Sequence, residues 1–241
     1  MIPKIINKIY LSHNNDFQEI IEPLSLREAH LTWKTLNPDY DLRYFNVTQC
    51  QEYLLNNFDV EHCNTFKNLI PFSYKCDFFR YCVVYKEGGW YSDWKQEILI
   101  PLDNILNEEE KSRIKFIFAY DNGSEYTRYY RCLATSFFGS VPNNPVLKSA
   151  IDKIIDNVKK KNYGMTPLDP TGPYVFGEAL LENKDKFDNS SLKIGTFDYN
   201  NYFEFDKRLI VKHKCDGVRH DQFWECGNNY AELWGSRSIY I

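Results

Sequence analysis

The stretch SYKCDFFRYCVVYKEGGWYSDWKQEILIP, residues 73–101, decides how the rest of the chain is read. Phe78, Phe79, Tyr81, Cys82, Val83, Val84 and Tyr85 cover every side of a cylinder, and a helix that is apolar all round is a buried one. The pattern predicts a helix over 73–86, with Ser73 as its N-cap. Gly88-Gly89 stops it, because glycine accepts the left-handed conformation. Asp77 and Arg80 nevertheless lie inside this helix, three residues apart and so on one face. Buried charges are paired or put to use. Trp90-Tyr91 opens a predicted strand that runs on to Lys95, and in an extended chain Asp93 and Lys95 project to the same side. One short segment therefore gathers two carboxylates and two cations near one strand end.

Before this segment, apolar patterning predicts a strand over 2–11 and a helix over 25–36 that stops at Asn37-Pro38. A strand over 40–46 follows, then a helix capped by Thr48 to residue 57, then a partly helical connection over 60–70. Beyond it, 108–111 reads as a charged surface turn. Strands are predicted at 115–120, 134–139, 193–197 and 208–211, and a helix at 146–161. Thr171-Gly172-Pro173 opens another helix to residue 183, with Pro173 in its first turn. Residues 216–241, rich in Gly, Asn, Trp and Tyr, read as a loop or tail folded back over a site. Strands alternating with helices predict an α/β fold, a mainly parallel sheet with helices on both faces, in a single domain over 1–241. Ligands in such sheets bind at the C-terminal strand ends, where Asp93 and Lys95 are expected.

The net charge is −4 with dispersed basic residues, which argues against a nucleic-acid partner. Lys159-Lys160-Lys161 is the one basic run and reads as a solvated helix end. Seven cysteines without a C-x-x-C pair point to a reducing compartment rather than to a disulfide framework or a metal finger. The N-terminal apolar run is broken by Lys4, Asn7 and Lys8, and no stretch has membrane-spanning length. The expectation is a cytoplasmic protein without a transmembrane segment, with room for peripheral membrane contact. Trp33, Trp90 and Trp94 read as core, and Trp234 as either lid or core. His213 and His220 read as surface groups, and Asp221 as a residue on the tail side of the site.

Several motifs resemble those of glycosyltransferase family 32, the group that includes capsular-polysaccharide sugar transferases. Ile2-Pro3-Lys4-Ile5-Ile6 is similar to the opening strand of that family, and Thr32-Trp33 with Asn37-Pro38-Asp39-Tyr40 to its "SW…NPDY" stretch. Asp77 to Tyr81 resembles its DxxRY helix, Gly88 to Asp93 its GGxYxD strand, and Thr171-Gly172-Pro173 its TGP turn. The run from Tyr230 to Ser236 resembles the tail that closes the site. Together these cover nearly the whole chain, and the close pairing of DxxRY with GGxYxD is the specific part.

The resemblance implies a GT-A, Rossmann-like nucleotide-diphospho-sugar transferase fold. It implies transfer of a hexose from a UDP- or GDP-sugar, with retention, to a polysaccharide, lipid-linked or protein acceptor. A non-catalytic nucleotide-sugar binder on the same scaffold is the alternative. The catalytic roles fall on Asp77, Arg80, Asp93 and Lys95. Donor binding falls on Asp77, Arg80, Tyr91, Asp93, Gly172, Trp234 and Ser236. Mn²⁺ or Mg²⁺ would be held by Asp93 and by Glu232 of the tail. The departure is Lys95, which stands at the second Asp of the family's D-x-D. A protonated lysine has no lone pair for a metal, so it either replaces the metal, with Glu232 as partner, or is a surface lysine.

Overall fold

The computed structural model describes residues 1–12, 24–123, 125, 127, 132–198, 200–215 and 227–241. His220 and Asp221 lie outside the described residues.

The first half is built as β1 (Ile5–Ile9), α1 (Leu24–Leu36), β2 (Asp41–Phe45), α2 (Val47–Asn57), α3 (Val60–Asn68), α4 (Phe72–Glu87), β3 (Gly89–Ser92) and β4 (Glu97–Ile98). The second half has α5 (Glu108–Arg113), β5 (Phe116–Asp121), β6 (Phe137–Ser140), α6 (Pro145–Lys160), α7 (Pro173–Asn183), β7 (Leu192–Phe197), β8 (Tyr202–Phe205), β9 (Arg208–Lys212) and α8 (Tyr230–Gly235). The strands form one sheet in the order β2-β1-β3-β6-β5-β7-β8-β9-β4. The pairs β1/β2, β1/β3 and β5/β7 are parallel, as the alternation of strands and helices predicts. The β3/β6, β5/β6, β7/β8, β8/β9 and β4/β9 pairs are antiparallel, so the sheet is mixed.

Helices cover both faces, and the two-residue period of the strands sorts the core. Tyr91, Phe116, Phe118 and Phe138 join the cluster under α2, α3, α4, α6 and α7. Their neighbours Trp90, Ile117, Ala119 and Phe137 turn to the other face, with Trp33 of α1 and the β8–β9 hairpin. Gly139 pairs with Trp90, and a Cβ there would lie 2.6 Å from the indole, so only glycine leaves room for the ring.

Four local expectations are corrected. The N-cap of α4 is Pro71, not Ser73, and makes no side-chain cap bond; the Phe72 N–H is instead taken by Asn228 Oδ1 at 2.7 Å, from the returning tail. The N-cap of α2 is Asn46, which forms a capping box with Gln49, so Thr48 lies inside the helix. The connection over 60–70 is a true helix, with the Asp59 side chain bonded to two of its first N–H groups. The strand after Gly89 stops at Ser92, and residues 93–96 make a turn closed by Gln96 N–H to the Asp93 carbonyl, 3.2 Å. The Gly88-Gly89 stop is as expected, with φ of +72° and +94°. A Cβ at Gly89 would also lie 2.7 Å from the Ile5 carbonyl of β1.

Candidate active site

β1 and β3 run parallel and end on the same side. A cleft of about 380 Å³ opens there, between the C-terminal ends of these strands, the first turns of α4 and α7, and Asn228 and Tyr230 of the tail. Asp77, Arg80, Tyr91, Asp93, Lys95 and Gly172 all line it. They come from three elements: α4 supplies the first two, β3 and its turn the next three, and the loop entering α7 the last.

Arg80 organises the floor. Its side chain is 6% exposed and faces two carboxylates, with Nη2 at 3.3 Å from Asp77 Oδ1 and Nη1 at 3.4 Å from Asp93 Oδ1. Nη1 also donates to the Thr135 carbonyl at 2.8 Å and Nε to the Cys76 carbonyl at 3.1 Å, so the plane is fixed. The guanidinium lies over the Tyr91 ring, 4.4 Å from its centroid. Burial opposes the charge, but Tyr91, Asp77 and Asp93 more than offset it and keep Arg80 protonated. For Asp77 burial wins and pushes the carboxyl up, despite Arg80 and the 2.7 Å hydrogen bond from Thr171 Oγ1. For Asp93 burial pushes up as well. There the charges of Arg80, Lys95 and His213, with the 2.7 Å bond from the Tyr91 hydroxyl, overturn it and hold the carboxyl below its ordinary value. The two carboxylates beside one guanidinium are thus biased in opposite directions.

The turn bearing Asp93 and Lys95 is held from beneath by four successive carbonyls. That of Asp93 accepts from Lys8 Nζ at 3.1 Å, and that of Trp94 from His30 Nε2 at 2.8 Å. That of Lys95 accepts from the Cys215 N–H at 3.0 Å, and that of Gln96 from Trp33 Nε1 at 2.7 Å. Lys8 is fully buried, donates also to Ser92 Oγ at 3.0 Å, and sits 4.3 Å from the Trp33 ring centroid. Burial pushes its ammonium down to about 7, against the pull of Asp93 and Cys215.

Three tail residues are placed elsewhere. Glu232 is exposed on α8 and accepts from Asn229 Nδ2 at 3.1 Å, outside the cleft lining. Trp234 donates Nε1 to the Tyr163 carbonyl at 2.6 Å, and Ser236 Oγ donates to the Leu233 carbonyl at 3.2 Å; neither lines the cleft. The short helix turns these side chains away, and the tail meets the cleft through Asn228 and Tyr230 instead. Among the described residues, Lys95 and Glu232 form no ion pair.

Other residues enter that sequence reasoning missed. Trp94 is cleft wall rather than core, packed against His30, Tyr10 and Tyr44 with ring centroids 4.3, 5.1 and 5.3 Å away. His213 is not a surface group: it lines the cleft, with Nδ1 facing Gln96 Nε2 at 3.2 Å and Ser136 Oγ at 3.4 Å. Asp121 lines it too, pushed up by burial against hydrogen bonds from Gly123 and Thr127. The D-x-D spacing signals the turn; nothing local signals residues that long-range strand pairing delivers.

The donor set does not suit a divalent metal. The second D-x-D position is an ammonium, and each cleft carboxylate already accepts from protein donors. Among the described residues no group of three His, Cys, Asp or Glu side chains could hold an ion.

Comparison with known proteins fits this geometry. Residues 23–112 match the family described as glycosyltransferase sugar-binding region containing DXD motif. An uncharacterized glycosyltransferase of Acanthamoeba polyphaga mimivirus is 26% identical over 184 residues, covering 76% of this chain and 66% of that one. The initiation-specific alpha-1,6-mannosyltransferase of Schizosaccharomyces pombe is 23% identical over 209 residues, covering 76% and 52%. The match thus spans about half to two-thirds of these curated relatives. Among solved structures, the catalytic domain of alpha-toxin from Clostridium novyi superposes with a TM-score of 0.53 at 9% identity, covering 98% of this chain and 82% of that one. The ligand-free glycosyltransferase domain of the YGT toxin gives 0.51 at 10% identity, covering 80% of each. These likenesses show the fold, which is GT-A. Within that fold, residues 23–112 are similar to the glycosyltransferase sugar-binding region that contains the DXD motif, and the longer sequence matches are to glycosyltransferases.

Proposed function

We propose that the chain moves a hexose from a nucleotide sugar to a glycan or glycoconjugate acceptor, with retention at the anomeric carbon. The observation that carries this reading is the convergence of Asp77, Arg80, Tyr91, Asp93, Lys95 and Gly172 on one strand-end cleft. Two curated relatives are named as alpha-1,6-mannosyltransferases, so mannose comes first among the sugars to try.

The reaction breaks the bond from C1 to the donor's phosphate oxygen, and the electron pair leaves with the diphosphate. The acceptor oxygen bonds to C1. In a front-face course the acceptor's proton passes to the departing phosphate oxygen. Fixed positive charge placed where the phosphate gains negative charge lowers the barrier, and Lys95 is the cleft cation suited to that. Arg80 and Asp77 suit the donor sugar, one supplying fixed donors and the other an acceptor or, when protonated, a donor. Asp93, held ionised, suits the ribose hydroxyls.

The test is release of nucleoside diphosphate from a panel of UDP- and GDP-sugars. The wild type should turn over at least one of them. Asp93→Asn and Arg80→Lys should each lower the rate by about a hundredfold or more, a loss of about 2.7 kcal/mol in transition-state stabilisation. A wild type that binds a nucleotide sugar but never releases product would support the non-catalytic binder that Lys95 also fits. One that neither binds nor releases refutes the reading.

A further inference from the structure

We propose that the cleft binds the diphosphate of its donor without a divalent metal ion, Lys95 supplying the positive charge at that place. This rests on the nucleotide-sugar reading above and deepens it.

The sequence supplies the first observation. The matched region is one described as containing a DXD motif, and here the three positions read Asp93-Trp94-Lys95. Exchanging a carboxylate for an ammonium changes the local charge by about two units, from −1 to +1, which is the charge a divalent ion would bring. A diphosphate therefore meets at this turn the electrostatic balance that a metal-loaded D-x-D would offer.

Geometry supplies the second. The four carbonyls of residues 93–96, the turn that bears Asp93 and Lys95, already accept from Lys8, His30, Cys215 and Trp33. Asp93 Oδ1 accepts from Tyr91 and faces Arg80, and Asp77 accepts from Thr171 and faces the other end of the same guanidinium. A hard cation would have to share these oxygens with protein donors and sit beside the buried Arg80 guanidinium, which leaves the turn a poor cage for it.

Placement supplies the third. Lys95 lines the cleft, is half-buried, and among the described residues makes no ion pair within 4 Å. Its backbone is held on both sides, so the turn itself needs little ordering when an anion arrives and only the side-chain rotamers are left to fix. Arg80, by contrast, is committed to two carboxylates and is buried against them.

The experiment titrates UDP and GDP into the full chain by calorimetry, once in EDTA and once in Mn²⁺. The wild type should bind one of the two in EDTA, with an affinity that Mn²⁺ changes by less than about threefold. Lys95→Met should lose about tenfold or more in both conditions. Lys95→Asp should lose as much in EDTA and recover part of it in Mn²⁺. A circular-dichroism melt of each variant confirms that the half-buried side chain was not needed for folding. If the wild type binds only when Mn²⁺ is present, or if Lys95→Met binds as the wild type does, this proposal is overturned while the nucleotide-sugar reading stands. If neither nucleotide nor any nucleotide sugar binds in either condition, both fall.

Discussion

His30 shows how a single side chain outside the cleft lining conditions it. Its Nε2 hydrogen goes to the Trp94 carbonyl, and the Trp94 ring meets it edge-on. Burial, with the nearby Lys8 ammonium, pushes the imidazole down to about 4. The folded chain thus keeps His30 neutral where the unfolded chain protonates it. Above pH 6.5 the two states agree and nothing is lost. As the pH falls through the window from about 6.5 to 4, the unfolded state takes up the proton and stability drops; below about 4 the penalty is complete, at roughly 3 kcal/mol. Urea unfolding at pH 7 and 4.5 should therefore show the wild type losing about 2 kcal/mol more than His30→Gln, whose amide can still reach the carbonyl. Equal losses would mean that the imidazole titrates normally in the fold. None of this is visible in the sequence, where His30 is one polar residue on an amphipathic helix.

The helix α4 was the most legible element. Its apolar circumference announced burial, and the two charges inside it are found paired at the cleft floor. What it hid is one polar atom: the Tyr81 hydroxyl is buried and, among the described residues, has no hydrogen-bond partner. The ring packs 4.9 Å from Phe176 and 6.0 Å from Phe138, measured between centroids. Leaving a hydroxyl unpaired costs about 1–3 kcal/mol, so Tyr81→Phe should raise stability by about 1 kcal/mol, read as a higher melting temperature. A clear fall would reveal a partner for the hydroxyl. Helix starts were less legible than helix bodies. The first N–H of α4 is satisfied by Asn228, 156 residues away, and no local rule anticipates a cap from the far end of the chain. His213 and Asp121 were missed for the same reason: each reaches the cleft through long-range pairing, whereas Asp77, Arg80, Asp93 and Trp94 come from one continuous stretch, and Trp94 was misjudged only in which way its ring faces.

At the scale of the molecule, β3 and β4 are separated by only the residues 93–96, yet they hold the third and ninth places in the sheet order. Four residues and their flanking bonds reach at most about 18 Å. The sheet must therefore curl until its far edge returns to its middle, with Trp90, Phe137, Phe203, Phe205 and Val211 packed inside the curl. β4 closes it by pairing Ile98 with Val211 and Glu97 with Lys212. Loosening the distant hairpin should consequently loosen the site. Val211→Ala, which trims a fully buried side chain, should cost about 1–3 kcal/mol. In hydrogen exchange, amides of 93–99 should lose more protection than those of β1 and β2. Uniform loss across the sheet would argue that the curl is not held at that seam.

That closure also sets what can be inherited separately. Residues 23–112 carry Asp77, Arg80, Asp93 and Lys95, but β1, β6 and β9, which brace them, are encoded on either side. Copied into another gene on its own, the motif would travel as spelling without its shape.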